Sequence, residues 1–397
     1  MKRVVLLITL ALLLVMGPAV AQEPLPLEPE LELQATVFAS DLAFPAGMAV
    51  LRDGSLLVGT SVSTGNGYYD SVGEIVRLVD GDGDGAADQP YETVATGLPG
   101  SITALALAGD LLFVTSTAPG NETISALRLT DDFSGAYLPA GTIDFRFISA
   151  LHSTYGLVAR PNPDDPAAWD LVFNIGANGN DQGSTRPVKL TGLIEASLPD
   201  SAVYLTTVQD EGETVTLSEP LAVATGIRNT SAMAFDPATG DLWIGENGID
   251  GLVDPFVSFS ADELDVVPAE AVASETLDFG FPDTYIDYAT GQVVGATGVA
   301  PFVVFLPLDG SESEGISSLA FAPLAFPDAL QNGVFAGFHG QFDLVGIENE
   351  ENPLLWVSAE TGEKVTVVGN DVATVGHIDT LAASADALYV ADLCADG

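Results

Sequence analysis

Four aspartates between two predicted strands have the spacing of a calcium-binding loop. Positions 1, 3, 5 and 9 of this loop are occupied by Asp80, Asp82, Asp84 and Asp88. Gly85 stands at position 6, and carboxylates at this spacing let a chain wrap oxygen ligands around Ca²⁺. Tyr91 occupies position 12, where a bidentate glutamate is usual, so a solvated Asp-Gly turn is the alternative. We expect Ca²⁺ to fix this loop.

Any imidazole base must come from a set of three histidines: His152, His339 and His377. His152 stands just before a predicted strand, where a side chain at the end of a sheet faces a cleft. His377 is followed closely by Asp379, whose carboxylate could orient the ring. A structural role is the alternative for each histidine. His152 is the best candidate for a general base.

Arg228 and Asn229 form a second candidate group at the entrance of another predicted strand. Arg228 is the last arginine, and Lys364 is the only basic residue after it. A guanidinium in so acidic a chain needs a partner, which is either a carboxylate of the protein or an anionic or carbonyl-bearing ligand. The candidate internal partners are the downstream acids Glu246, Asp250, Asp262, Glu263 and Asp265. With the Gly248 carbonyl, these acids could instead form a second Ca²⁺ site.

Two common types of site are missing from the sequence. It contains no G-x-S-x-G elbow for a serine nucleophile. The segment GDGDGAAD also lacks the glycine spacing of a dinucleotide-binding loop.

These residues lie on a repeated unit of short strands. Residues 225–248 predict a hairpin, in which a D-P-A-T-G-D turn joins two apolar strands. Similar units begin near residues 36, 93, 152, 315 and 377. Self-similar, strand-rich units without amphipathic helices indicate radial repetition, so the sequence predicts an all-β, six-bladed β-propeller. A β-sandwich would explain the strands but not the repeat.

The last unit is shorter than the others, because four residues follow Leu393. Either the sequence is truncated or the last blade remains incomplete and is closed by the N-terminal strand near residues 36–40. We expect that strand to lie outermost in the sixth blade.

The amino end predicts export. Lys2 and Arg3, an apolar run over residues 4–16 and the sequence Ala-Val-Ala at 19–21 form the three parts of a signal peptide, residues 1–21. The run is shorter than the roughly 20 residues of a membrane-spanning helix. Residues 22–33 are rich in Pro and Glu and predict an extended leader, followed by a single propeller domain over residues 34–397. The expected location is secreted or periplasmic, without stable membrane insertion.

The charge balance excludes several partners. The formal net charge is −45, so nucleic acid and anionic membrane surfaces are poor partners. The single cysteine, Cys394, cannot form an intramolecular disulfide, so packing or bound ions must stabilise the fold.

Several segments resemble the soluble PQQ-dependent glucose and sorbosone dehydrogenases, which are six-bladed quinoprotein propellers with Ca²⁺. The resemblance covers nearly all of residues 36–393. The segments that carry it are FASDLAFPAGMAVLRDGSLLVGT, GEIVRLVDGDGDGAAD, RNTSAMAFDPATGDLWIGENG, DFGFP and FPDALQNGVFAGFHG.

The resemblance implies that a small-molecule sugar or polyol is oxidised by hydride transfer to PQQ. An unknown electron acceptor would then reoxidise the quinone. His152 matches the base, Arg228 and Asn229 match the quinone-contacting pair, and the segment after Glu246, with Gly248, matches the metal-bearing loop. Ile249 replaces the proline of that loop. PQQ carries three carboxylates, so Ca²⁺ must compensate for the few basic residues. The alternative is a non-catalytic propeller of the same descent that binds carbohydrate or protein.

Overall fold

The computed structural model describes Glu28 and residues 31–64, 71–118, 121–147, 151–184, 186–253, 257–340, 351–369 and 377–393. The predicted signal peptide, most of the predicted leader, Cys394 and the side chain of His377 lie outside this description.

The described chain is built from short β-strands. The first eight are β1 (Met48–Val50), β2 (Leu56–Ser63), β3 (Ser71–Leu78), β4 (Glu92–Pro99), β5 (Ser101–Ala108), β6 (Leu111–Ala118), β7 (Asn121–Arg128) and β8 (Leu138–Arg146). The next ten are β9 (Leu157–Pro161), β10 (Ala168–Ile175), β11 (Val188–Gly192), β12 (Ala196–Leu198), β13 (Ala202–Asp210), β14 (Val215–Leu217), β15 (Leu221–Thr225), β16 (Ala232–Phe235), β17 (Leu242–Glu246) and β18 (Glu263–Val267).

The remaining strands are β19 (Leu277–Asp278), β20 (Tyr285–Ile286), β21 (Val293–Val294), β22 (Val303–Val304), β23 (Ile316–Phe321), β24 (Gly333–Phe338), β25 (Leu354–Ser358), β26 (Lys364–Val368), β27 (His377–Ala383) and β28 (Leu388–Leu393). Two 3₁₀ helices are Pro307–Asp309 and Asp328–Leu330. Within the described ranges, no helix has the length and apolarity needed to cross a membrane.

The strands form sheets arranged around a central axis. The first sheet contains β1–β4, the second β5–β8 with β11 and β12, and the third β9, β10, β13–β15 and β19. The fourth contains β16–β18 and β22, the fifth contains β23–β26, and a two-stranded sheet contains β27 and β28. The leading strands β1, β5, β9, β16, β23 and β27 contact one another in a closed ring. The protein is an all-β propeller, as the repeat predicts.

The hairpin predicted at residues 225–248 is formed by β16 and β17. These strands pair antiparallel, with Met233 opposite Ile244 and Phe235 opposite Leu242. Asp236 begins the turn, and its carboxylate accepts the backbone N–H of Ala238 at 2.7 Å. The alternation of side chains and the turn chemistry therefore act together here.

The predicted N-terminal strand is not formed. Residues 36–40 have no strand structure, and the described part of the last sheet contains only β27 and β28. The Phe38 carbonyl accepts the N–H of Ala87 at 2.7 Å, so this backbone group is not available to β28. The Phe38 ring instead packs edge-on against Tyr389 of β28, with ring centroids 5.1 Å apart. The segment covers the last sheet through side chains and does not extend it.

Apolar side chains between neighbouring sheets form the core. Leu57 of the first sheet packs with Ile102 and Leu112 of the second, and all three are fully buried. Gly59 allows this close approach, because a Cβ there would lie 2.4 Å from Cγ2 of Ile102. Contacts between sheets therefore hold the ring together.

We expect Leu112→Ala to lower the free energy of unfolding by about 2–5 kcal/mol, because it leaves a cavity between two sheets. Leu138→Ala is the matched control, since Leu138 lies in the same sheet and is 63% exposed. It should change stability by less than about 0.5 kcal/mol. Urea unfolding measures both values, and equal losses would contradict this view of the core.

Candidate functional site

Three of the predicted site residues meet at one end of the propeller. His152 precedes β9, while Arg228 and Asn229 precede β16. The second strand of each hairpin ends at the same edge, where Ala177 follows β10 and Asn247 follows β17. Because leading strands begin where antiparallel second strands end, these loops form a common mouth. The third and fourth sheets supply it.

The buried guanidinium of Arg228 is the centre of this mouth. Arg228 is 2% exposed, and its Nε donates to the Asn180 carbonyl at 2.8 Å. One Nη2 proton goes to Oδ1 of Asn180 at 2.7 Å and the other to Oδ2 of Asp250 at 2.6 Å. Nη1 donates to the Asn247 carbonyl at 3.3 Å. Burial lowers the pKa of Arg228 from its ordinary value, and the charge of Asp250 opposes this shift.

The hydrogen bonds of Arg228 leave one donor for a ligand. A guanidinium has five N–H groups. The bonds to Asn180, Asn247 and Asp250 use four of them. One Nη1–H therefore has no acceptor among the described residues.

The backbone of Ala177 joins His152 to Arg228. The Ala177 N–H donates to the Arg228 carbonyl at 2.7 Å, and the Ala177 carbonyl accepts the His152 N–H at 3.1 Å. Gly176 permits this approach, because a Cβ there would lie 2.7 Å from Cβ of His152. The two residues that the sequence analysis placed at strand entrances are thus neighbours.

The His152 ring is neutral and has a free nitrogen. Nε2 is buried and has no hydrogen-bond partner among the described residues. Burial, and then the positive charge of Arg228, lower the pKa of His152 to about 3. An uncharged imidazole nitrogen without a partner can accept a hydrogen bond from a bound hydroxyl group, and an anionic ligand beside Arg228 would have to raise this pKa before the ring became an effective base.

Asn174 holds the loop that carries His152. Its Oδ1 accepts the N–H groups of Tyr155 at 2.9 Å and Gly156 at 2.8 Å, and its side chain is 1% exposed. Its Nδ2 donates to the Ser153 carbonyl at 3.4 Å. A side-chain amide thus replaces backbone pairing in this loop.

Two side-chain amides near Arg228 are also unsatisfied. Oδ1 of Asn229 and Oδ1 of Asn247 are buried without a partner in the described part of the chain. Buried polar groups are normally hydrogen-bonded, so unsatisfied groups at one mouth indicate a ligand site. The polar groups at this mouth can donate hydrogen bonds to a hydroxyl- or carbonyl-bearing ligand and accept hydrogen bonds from it.

Gly248 lies in the loop that follows β17. Its N–H donates to Oδ1 of Asp262 at 2.8 Å, while Oδ2 of Asp262 accepts the Ile316 N–H at 2.9 Å. A Cβ on Gly248 would lie 2.3 Å from the Ser260 carbonyl, so only glycine fits. Burial raises the pKa of Asp262 to about 7 despite the two N–H donors. Asp262 thus joins this loop to the fifth sheet.

Three other carboxylates face one another across β17 and β18. Glu246 lies opposite Glu263, and Asp265 lies two residues further along β18, on the same face of the sheet. Asp265 is fully buried, and burial, together with the neighbouring Glu246 and Glu263, raises its pKa well above the ordinary value. Burial and the neighbouring Asp262 raise the pKa of Glu263 to about 8. Burial and Glu263 also raise the pKa of Glu246.

The predicted set of Glu246, Asp262 and Glu263 does not converge on one point. Among the described residues, one set of three acidic side chains brings a ligand atom from each member within 4.8 Å of the others. That set is Asp80, Asp82 and Asp84. The reason is the strand alternation, which directs Asp265 toward the two glutamates while Asp262 bonds to Gly248 and Ile316. A metal role for the predicted set stays a prediction.

Three of the four aspartates of the predicted calcium loop, Asp80, Asp82 and Asp84, bring one ligand atom each within 4.8 Å of the others. Oδ1 of Asp80 accepts the Gly83 N–H at 2.7 Å, and Oδ2 accepts the Gly85 N–H at 2.9 Å. Asp88 lies outside the group of close ligand atoms, and its Oδ2 accepts the Gly81 N–H at 2.9 Å. The loop is exposed and lies between β3 and β4, so Ca²⁺ binding there stays a prediction.

Comparison with known proteins adds structural relatives only. No family model and no curated protein sequence matches the chain. The PQQ-bound aldose sugar dehydrogenase from Streptomyces coelicolor superposes with a TM-score of 0.57 at 16% identity, over 90% of this chain and 91% of that one. A calcium structure of a carbohydrate-active enzyme of family AA12 from Trichoderma reesei gives 0.56 at 14% identity, over 90% and 92%.

A third similar structure is the holo form of the PQQ domain of pyranose dehydrogenase from Coprinopsis cinerea. Its TM-score is 0.54 at 13% identity, over 89% of this chain and 91% of that one. The chain has the fold of these sugar dehydrogenases. The resemblance drawn from the sequence is thereby confirmed at the level of the fold.

Sequence analysis missed Asn174 and Asn180, which position His152 and Arg228. Asn180 lies in the polar, glycine-rich segment GANGNDQG after a buried strand, which marks a loop but not its partner. Asn174 ends an apolar run, where one polar residue was the only signal.

We expect the free energy of unfolding to fall between about pH 4.5 and pH 8. Buried carboxyls such as Glu263 keep their protons in the folded state over this range, whereas the unfolded chain releases them. Folding therefore binds protons, and stability decreases as pH rises. Glu263→Gln should reduce this decline by at least about 1 kcal/mol. Urea unfolding at pH 5 and pH 8 with a calcium chelator measures it.

Glu275→Gln is the control for this experiment, because Glu275 is exposed. It should leave the pH dependence unchanged. If the free energy of unfolding fell by the same amount between pH 5 and pH 8 in the wild type and in Glu263→Gln, Glu263 would not be a carboxyl that keeps its proton in the folded state.

Proposed function

We propose that this chain is an exported oxidoreductase that oxidises a sugar or polyol, with PQQ as hydride acceptor and Ca²⁺ as its counter-ion. The observation that best supports this proposal is the unpartnered Nε2 of His152 beside the buried guanidinium of Arg228. The proposal includes a six-bladed propeller in which β27 and β28 form the last blade. The shared fold with sugar dehydrogenases supports it.

The polar groups of the mouth suit the carbonyl edge of a quinone. Arg228 has one unused N–H, which would polarise a carbonyl oxygen, and the Asn229 amide lies beside it in the chain. Arg228 is fixed by Asn180 and Asp250, so it needs no reorganisation when a ligand binds. These residues would hold PQQ through its carbonyl groups.

The carboxylates of PQQ need more positive charge than Arg228 alone provides. After Arg228 the only basic residue is Lys364, whose Nζ donates to Asp309 at 2.6 Å and to the Val304 carbonyl at 2.8 Å. Buried acids such as Glu246 and Glu263 would add negative charge near the mouth once they lose their protons. A divalent cation bound near the mouth, displacing the protons of these glutamates, would reverse this balance.

His152 would act as the general base. Its neutral Nε2 takes the proton from the substrate hydroxyl while the carbon bearing that hydroxyl loses hydride. The chemistry that bound PQQ would supply is an acceptor for this hydride, which is a proton with two electrons. Asn174 and Ala177 keep the ring in place during proton transfer, because they fix the loop on both sides of it.

The partners follow from this chemistry. The substrate is a small sugar or polyol with a free hydroxyl or hemiacetal carbon, and a separate electron acceptor reoxidises the quinone. The net charge of −45 disfavours nucleic acid as a partner. The signal peptide predicted from the sequence supports export of the mature protein.

Reconstitution with PQQ and Ca²⁺ tests the proposal. The purified protein should reduce a redox dye in the presence of an aldose or polyol, and removal of Ca²⁺ should weaken PQQ binding by at least about tenfold. His152→Ala should lower kcat by about 10²–10⁴-fold, because the general base is lost. PQQ absorbance titration should give the same affinity for this variant.

Arg52→Met is the matched control, because Arg52 forms an exposed ion pair with Asp110. It should leave dye reduction unchanged. Failure of folded wild-type protein to bind PQQ with Ca²⁺ would reject the enzyme and favour the non-catalytic carbohydrate-binding propeller. Full turnover in His152→Ala would reject the base.

A further inference from the structure

A cavity of about 570 Å³ runs along the axis of the propeller, apart from the His152 mouth. The six leading strands line it, and neither His152 nor Arg228 is among its lining residues. At one end lie the buried Gly47 and Ser317. At the other end lie Pro237, Leu324 and Ala385, which are exposed. The cavity therefore opens on the face opposite the mouth.

The wall of this cavity is mostly aliphatic and aromatic. Half-buried apolar residues along it include Leu107, Phe235 and Phe321. The hydroxyl-bearing residues of the lining are Thr103, Ser231, Ser317, Ser318, Thr380 and Ser384. Ligand sites have this composition and a volume of roughly 300–1,000 Å³. An apolar ligand of moderate size would thus find complementary surface there.

Asp379 is the one charged side chain among the lining residues. Its Oδ2 is buried without a hydrogen-bond partner in the described part of the chain. Burial, together with the charge of Asp392, raises the pKa of Asp379 to about 7. A buried carboxylate without a counter-ion costs several kcal/mol, so this group needs a proton or a cation.

A metal ion does not fit this position. Hard cations take about six to eight oxygen ligands, usually with several carboxylates or carbonyls among them, and the described cavity wall offers one carboxylate beside hydroxyl groups. Among the described lining residues there is no lysine, arginine or histidine to supply the positive charge from within. An ammonium group on an apolar body satisfies both features, because the body fills the cavity and the head pairs with Asp379.

We propose that the axial cavity binds a small apolar molecule bearing one primary ammonium group, with the Asp379 carboxylate as its counter-ion. The site is separate from the proposed sugar site, so the two can fail independently. The strongly negative protein also raises the local concentration of cations at the cavity entrance.

Calorimetric titration with hexylammonium chloride and with 1-hexanol tests this site at pH 8 in 0.3 M NaCl. The wild type should bind hexylammonium at least about tenfold more tightly than 1-hexanol. Asp379→Asn keeps the shape and removes the charge, so the two affinities should come within about threefold while 1-hexanol binding persists. Ethylammonium measures non-specific attraction to the acidic surface and should bind at least about tenfold more weakly than hexylammonium.

Ala383→Phe provides a second test that does not depend on the folding of Asp379→Asn. Ala383 lines the cavity near its open end and is exposed, so a phenyl ring there should block entry of both six-carbon ligands. Lack of hexylammonium binding by the wild type would overturn the proposal. Binding no tighter than that of ethylammonium or 1-hexanol, or a preference that persists in Asp379→Asn, would overturn it as well.

Discussion

The burial of one guanidinium governs the arrangement of the mouth. Arg228 is 2% exposed and is held by Asn180, Asn247 and Asp250, which belong to two different loops. A buried arginine is tolerable only when its donors are nearly all satisfied. The loops must therefore close around it, and Ala177 brings His152 to the same place. The neutral imidazole and the spare N–H both follow from this packing.

The buried acids near Arg228 decide which ligands the mouth can bind. Burial raises the pKa of Glu263 to about 8 and that of Asp262 to about 7, so these groups hold protons that a cation would displace. A ligand with several carboxylates would meet this field, and a divalent cation would convert the same acids from a barrier into a binding site. In the axial cavity, Asp379 poses the same problem of an uncompensated charge in an apolar wall.

The sequence predicted the elements whose signals are local. The hairpin of β16 and β17 follows from alternating side chains and the Asp236 turn, and the positions of His152 and Arg228 follow from the common edge of the hairpins. The all-β propeller was predicted from the repeat. These features depend on residues close together in the chain.

Long-range pairing set the remaining details. The strand predicted at residues 36–40 fails because Phe38 bonds to Ala87, a contact that no local pattern encodes. β18 begins at Glu263, so alternation directs Asp265 and not Asp262 toward Glu246. A shift of one residue reverses the face of a strand, and the sequence does not fix where such a strand starts. The roles of Asn174 and Asn180 likewise depend on loops joined only in the folded chain.

The most direct measurement is the NMR titration of the His152 ring, with its ¹⁵N signals assigned by their loss in His152→Ala. Burial beside Arg228 predicts that the ring stays neutral from about pH 8 down to about pH 5, because its pKa is about 3. Protonation with a midpoint near the ordinary value of about 6.5 would contradict the account. It would show that His152 is solvated and does not share a buried mouth with the guanidinium.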